Sequence, residues 1–225
     1  MQHYYYIFLL LFTLSYPLFK SFEKKISFYK KWKYLFPSIL VSAAVFIPWD
    51  IWFTRINIWS FNQRYVTGLF IYGLPIEEWL FFFIVPFSCI FIYEVLNYFI
   101  KKDISARATR CITLSLATAL LIAAIIFHDK IYTAVDFAAL SIFLFLHQFM
   151  IRSAYLGRFY RTWAVCLVPF LIINGFITGL PIVIYNNLEN MNVRIYCIPL
   201  EDMFYGMFQI LIVVTVYEYL KQKRA

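Results

Sequence analysis

Seven apolar runs, separated by short polar or basic segments, organise the chain at about 3–19, 35–53, 76–99, 111–127, 131–151, 163–184 and 199–220. No alternation of period two accompanies them, so the pattern predicts helices and no strands. A helix needs roughly 20 apolar residues to cross a hydrocarbon core about 30 Å thick, and backbone groups in lipid must be bonded within the protein. The runs therefore predict an all-α integral membrane protein with seven transmembrane helices. The first run has no basic segment before it and no small-residue cleavage site after it, so it is expected to be a retained helix and not a signal peptide.

The polar positions that interrupt this pattern recur. LPIEEWLFFF from Leu74 to Phe83 is matched, 124 residues on, by IPLEDMFYG from Ile198 to Gly206. Pro75 answers to Pro199, Glu77 to Glu201, Glu78 to Asp202 and Tyr72 to Tyr196. Tyr93 and Glu94 match Tyr217 and Glu218, while upstream Asp50 meets Asn174, Thr54 meets Thr178 and Asn62 meets Asn186. Chance similarity between two apolar helices would not concentrate on polar residues, so the chain reads as an internal repeat. The expected organisation is two parallel three-helix repeats, 1–100 and 129–225, joined by a linker helix within 101–128 (3+1+3). Matching helices lie an even number of spans apart, which places both motifs at the same end of the bundle, related by a pseudo-twofold axis along the membrane normal.

Composition agrees with the membrane reading: 63% of residues are hydrophobic, 22% aromatic and 14% charged, with a mean hydropathy of +0.74. The +8 net charge is distributed unevenly. Sixteen of the twenty basic residues fall in Lys20–Lys33, Lys101–Arg110, Arg152–Arg161 and Lys221–Arg224. Because basic residues are retained on the cytoplasmic side, the N-terminus is expected outside and the C-terminus inside, in a bacterial-type inner membrane. Topology and anionic lipid then explain the charge, and no nucleic-acid partner is implied. Four scattered cysteines (Cys89, Cys111, Cys166, Cys197) form no Cys-x-x-Cys pair and are expected to pack.

Several chemistries are excluded. Three histidines are too few for the boxes of membrane di-iron oxygenases, and without a Gly-x-Gly-x-x-Gly no tightly held flavin or nicotinamide is expected. The five aspartates are dispersed, unlike the paired clusters that bind magnesium diphosphate in intramembrane prenyltransferases. No lysine between Pro199 and Leu220 is available for a retinal Schiff base. No bound cofactor or metal is expected, and proton chemistry on a lipid remains.

Pro75 and Pro199 suit a first helical turn, and the acids that follow are stabilised there by the helix dipole. That local role competes with catalysis as their explanation. Adjacent helical residues diverge by about 100°, so one acid of each pair can face a shared cavity. The strictly matched Glu77 and Glu201 are the expected pair, with Glu78 and Asp202 as further catalytic candidates. Two facing carboxyls can share one proton and titrate together, one donating to an apolar substrate while another group later accepts. Asp50 and Asn174, with the nearby Trp49, are candidates to line the cavity. Glu94 and Glu218 lie 17 residues beyond their partners, about 25 Å along a helix, and are expected to be solvated or lysine-paired. Gly175 and Gly179 read as a close helix-packing motif.

Leu-Pro-Ile-Glu-Glu-Trp-Leu-Phe-Phe at Leu74–Phe82, its copy Ile-Pro-Leu-Glu-Asp-Met-Phe at Ile198–Phe204, and Trp59-Ser60-Phe61-Asn62 resemble the membrane-integral lycopene cyclase family of bacteria, archaea and fungi. Nearly the whole chain shares the resemblance, which implies redox-neutral cyclisation of lycopene ends to β-ionone rings, giving γ-carotene and then β-carotene. It also implies Pro75, Trp79 and Pro199 as pocket residues, and lycopene, γ-carotene and membrane lipids as partners. The second copy has Asp202 for a glutamate and lacks the tryptophan corresponding to Trp79. A carotenoid- or retinoid-binding protein without catalysis, or a carotenoid end-group hydratase, is the alternative.

Overall fold

A computed structural model describes residues 2–223 of the 225-residue chain. Seven α-helices make up the bundle: α1 (Tyr5–Lys20), α2 (Trp32–Arg55), α3 (Ile76–Phe99), α4 (Ala106–Ile126), α5 (Ile131–Leu146), α6 (Leu156–Gly179) and α7 (Leu200–Gln222). Six are long and apolar enough to cross a membrane, α5 when counted with the π-helical turn His147–Ile151 that extends it. Seven helices are thus present, and α1, whose 16 residues span about 24 Å, is the one shorter than a full hydrocarbon thickness. The sixth helix also begins earlier than its apolar run. Arg158 and Arg161 fit inside it because Glu218 (3.8 Å) and Asn97 (2.7 Å) meet their guanidinium groups. It ends at Gly179, since Pro181 disfavours helical backbone at Leu180.

Short strands correct the strand-free reading. They are β1 (Trp59–Phe61), β2 (Phe70–Ile71), β3 (Leu74–Pro75), β4 (Val183–Tyr185), β5 (Arg194–Ile195) and β6 (Ile198–Pro199). At two or three residues each, they are too short to leave a period-two signature. In β2–β3 and β5–β6 they form small hairpins whose last residue, Pro75 or Pro199, is the residue just before α3 or α7. The prolines therefore close the hairpins one position before the expected first turn. Tyr72 and Gly73 make the β2–β3 turn with φ of +52° and +88°, the paired left-handed conformation that suits a two-residue hairpin and favours glycine.

Helices α3 and α7 form the centre. The first packs on α1, α2 and α6, the second on α5, α6 and α2, and they touch each other, while α4 lies outside against α5 and α6. Contacts related by 124 residues recur across this centre. Strand β1 pairs antiparallel with β4 so that Ser60 stands opposite its own counterpart Ile184. Asn62 N–H donates to the Ile182 carbonyl (2.9 Å) and Asn186 N–H to the Ile58 carbonyl (2.8 Å). At the far end of the bundle the Tyr93 hydroxyl donates to Glu218 (2.8 Å) and the Tyr217 hydroxyl to Glu94 (2.7 Å).

Those two glutamates are 3% exposed, which corrects the solvated reading while keeping the lysine-paired one. Glu94 accepts from Lys31 and from Lys221 (2.9 Å). Buried carboxylates of this kind are tolerated because cations and phenols compensate them. Gly175 and Gly179 do not mediate close helix packing: a Cβ on Gly175 would meet nothing within 4 Å, and one on Gly179 would meet only Cys197 Sγ at 3.7 Å, on the β5–β6 turn.

Glu94→Ala leaves Tyr217 and two lysines without their acceptor. The expected destabilisation is about 2 kcal/mol, read as a lowered thermal midpoint in detergent, because a hydrogen bond to a charged group is worth about that much and the lysines are partly solvated. An unchanged midpoint would show that the pair carries no stability.

Candidate active site between the repeats

At the end of the bundle opposite Glu94, the hairpins deliver four acids to the first turns of α3 and α7, and their side chains separate into two kinds. Glu77 and Glu201 are fully buried. Thr67 N–H donates to Glu77 Oε1 and Met191 N–H donates to Glu201 Oε1, each at 2.7 Å, while the Thr133 hydroxyl also donates to Glu201 (2.5 Å). Each glutamate thus anchors the loop ahead of its own hairpin, and its side chain lines neither of the cavities described below.

Glu78 and Asp202 point the other way, into a small hollow of about 60 Å³ that both line. The Tyr6 hydroxyl donates to Glu78 Oε2 at 2.6 Å. Asp202 accepts from the Tyr132 hydroxyl on Oδ1 and from the Tyr185 hydroxyl on Oδ2, both at 2.6 Å. Burial, with the Asp202 carboxyl beside it, pushes the Tyr185 hydroxyl well above the usual tyrosine range, so it remains a donor in that bond. Asp50 and Asn174 line the same hollow, as do the matched pairs Phe61 with Tyr185 and Phe81 with Tyr205. Asp50 Oδ2 and the Tyr205 hydroxyl have no protein partner among the described residues.

One acid of each motif does face a shared cavity, but it is the second and not the first. A 100° step separates them, and the sequence alone does not fix which face of α3 meets α7. The remaining candidates divide in the same way. Asp50 and Asn174 reach the hollow, whereas Pro75, Pro199, Trp49 and Trp79 do not line it. Trp49 stacks on Phe46 (centroids 5.7 Å apart, planes 7° apart) and meets Tyr205 edge to face. Trp79 donates from its indole nitrogen to the Ile71 carbonyl (3.3 Å) on the hairpin.

Aromatic faces enclose the hollow. Trp59 lies 5.2 Å from Tyr132, 6.0 Å from Tyr205 and 6.2 Å from Tyr185, each edge to face. Tyr6, Tyr132, Tyr185 and Tyr205 are functional candidates that the sequence reading missed. Tyr6 and Tyr132 donate to matching acids from α1 and α5, but they stand 126 residues apart. A gapless comparison at 124 cannot pair them. Asp136, one turn beyond Tyr132 on α5, is also fully buried, and neither of its oxygens has a protein partner among the described residues.

An apolar cavity of about 340 Å³ leads away from the acids between α1, α3, α6 and α7. It shares Phe81, Phe170, Asn174 and Gly206 with the hollow. Cys89 and Cys166 line it, so these two thiols pack around an opening and not in a solid core. Two rings of its wall pack directly on Gly206: a Cβ there would come within 3.2 Å of Trp163 and 3.3 Å of Phe170. Its counterpart in the first repeat is Phe82, fully buried beside Phe46 (6.4 Å), and Phe46 in turn packs on Tyr205 and Phe208. The pseudo-symmetric route is therefore filled with rings. No group of three or more histidine, cysteine or carboxylate side chains suited to hold a metal ion occurs among the described residues.

Replacing Glu77 by alanine removes the acceptor for the Thr67 amide. Hydrogen exchange at Thr67 is expected to accelerate about tenfold, the equivalent of one charge-assisted hydrogen bond, while exchange in α3 beyond its first turn stays unchanged. Equal protection in the variant would contradict the anchoring role.

The family model described as lycopene cyclase matches residues 3–96 and 129–220. Among curated proteins, the chain is similar to three fungal proteins named bifunctional lycopene cyclase/phytoene synthase. It is 36% identical to the one from Phaeosphaeria nodorum over 26% of this chain and 10% of the relative. To the Podospora anserina protein it is 45% identical over 21% and 8%, and to the Aspergillus oryzae protein 30% identical over 29% and 11%. The matched segments thus span about a tenth of the length of these relatives. No solved structure matches.

Proposed function

The chain belongs to the lycopene cyclase family, and from that premise we propose that it is a lycopene β-cyclase, closing the acyclic ends of lycopene to β-ionone rings by acid–base catalysis. The observation that carries this reading is the meeting of Glu78, Asp202 and Asp50 in an aromatic hollow at the end of an apolar cavity. In this reading the cavity between α1 and α6 takes a polyene from the bilayer, and its leading end reaches the carboxyls.

One carboxyl of the cluster transfers its proton to the terminal double bond of the substrate, and the positive charge develops on the more substituted carbon. The neighbouring double bond supplies its electron pair to that carbon, forming the ring bond and moving the charge into the ring. A carboxylate then removes a ring proton, and the electrons of that C–H bond become the new double bond. One proton enters and one leaves, so no oxidant, reductant or metal is needed. Negative carboxylates and the ring faces of Trp59, Tyr132, Tyr185 and Tyr205 stabilise the cation, and the apolar, aromatic lining disfavours water that would capture it. Glu78, with a single phenol donor, is assigned as the acid. Asp202, with two, is better stabilised as a carboxylate and is assigned, with Asp50, to charge stabilisation and proton removal.

The same reading treats the molecule as two three-helix repeats, 1–100 and 129–225, with α4 in the linker 101–128. The repeats build a single site on their axis. Lycopene and γ-carotene are then successive substrates, each end entering the same cavity in turn. The basic end of the bundle faces the cytoplasm, with the C-terminus inside and the N-terminus outside.

Expression in a lycopene-accumulating bacterium, with pigments separated by chromatography, tests the assignment. Cyclic carotenes are expected; unchanged lycopene despite stable membrane expression would support a binding protein, and hydroxylated ends would identify a hydratase. Glu78→Gln cannot donate a proton and is expected to lower turnover at least about 100-fold at unchanged protein level, with Glu77→Gln less affected. The reverse order would move the acid to Glu77. Gly206→Phe, which places the ring of the other repeat in the cavity, is expected to reduce the rate at least about tenfold. An unaltered rate in a folded variant would exclude this route for the substrate.

A further inference from the structure

A hollow larger than the two at the acid-bearing end lies at the opposite, basic end of the bundle. It measures about 620 Å³ and is bounded by the start of α4, the π-helical turn after α5 and the start of α6. Arg110 and Arg152 line it, and no aspartate or glutamate does. Neighbouring arginines are already engaged: Arg158 faces Asp103 (3.9 Å) and Glu218 (3.8 Å), and Arg161 donates to Asn97 and to the carbonyls of Ile100 and Lys102. Arg110 and Arg152 have no carboxylate within 4.0 Å among the described residues. The π-helical turn ends at Arg152 with a φ of +53°, so the backbone leaves the helix at this residue.

Two unpaired guanidinium groups sharing a hollow, with two long helices presenting their N-termini to it, make a site for an anion. The surface beside it defines what kind. Ile142, Leu146 and Phe149, at helical spacing along α5 and its extension, are exposed by 56%, 37% and 55%. They form an apolar stripe running from the membrane-spanning part of the helix to the rim of the hollow, where Phe149 is itself a lining residue. A ligand that matches both features has a phosphate head and an acyl tail.

We propose that this hollow binds the headgroup phosphate of an anionic phospholipid, held by Arg110 and Arg152, with an acyl chain lying along Ile142, Leu146 and Phe149. The site lies at the far end of the bundle from the carboxyl cluster, and its occupancy does not depend on the catalytic assignment. It fits the basic, inward-facing end, where the negative leaflet supplies such lipids.

Titration of the purified full chain in neutral detergent with phosphatidylglycerol, phosphatidylcholine or inorganic phosphate, followed by native mass spectrometry, tests the proposal. One phosphatidylglycerol per chain is expected to bind in preference to phosphatidylcholine, and millimolar phosphate is expected not to displace it. The Arg110→Gln/Arg152→Gln variant is expected to bind about 30-fold more weakly, the equivalent of about 1 kcal/mol per arginine near a lipid surface. A Lys102→Gln/Arg107→Gln variant removes the same charge outside the hollow and is expected to bind as the unaltered chain does. Equal binding of both phospholipids by the unaltered chain would overturn the proposal without any variant. Equal loss in the two variants would reduce it to general surface charge, and saturation by phosphate alone would exclude a lipid as the ligand.

Discussion

A carboxyl group inside an apolar helical bundle is costly unless the protein itself supplies hydrogen bonds or opposite charge. Much of this molecule is arranged around that requirement. Glu94 and Glu218 are met by lysines, an arginine and each other's tyrosine neighbours, and so lock α3 to α7 at the basic end. Glu77 and Glu201 are met by backbone amides and hold the loops before the hairpins. Glu78 and Asp202 are met by phenols alone, and they are the ones that face open space. The kind of partner separates acids that hold loops and helices together from acids that face the hollow.

Contacts between positions 124 residues apart, and the places where matched residues differ, shape the hollow. Reciprocal contacts between positions 124 residues apart bring both motifs to one axis, where a single hollow takes its lining from each half. Strict symmetry would give two routes to that hollow. Gly206 lines the open cavity where its match Phe82 is buried among rings, and Asn174 opposite Asp50 leaves the cluster with one carboxyl fewer. A substrate entering from one side would then meet a site with distinct acidic and basic partners.

The sequence revealed the helices and the motif because each depends on local composition or on identity at fixed spacing. It did not reveal the strands, since two or three residues carry no periodicity, nor that Glu78 and Asp202 rather than Glu77 and Glu201 face the hollow. That choice depends on how α3 and α7 are rotated against each other, which the packing of Tyr205, Phe46 and Trp49 decides. Tyr6 and Tyr132 escaped notice because their helices are displaced by two residues in the repeat. Tyr185 ends the short strand β4, whose pairing with Trp59 is visible only in three dimensions.

The central claim is that an exchangeable proton on a buried carboxyl is handed to an alkene while another hydrogen is lost from the ring. Turnover of lycopene by membranes in deuterated water, followed by mass spectrometry of the cyclic carotenes, tests it most directly. The account predicts one deuteron gained per ring closed. Rings formed without label would contradict it.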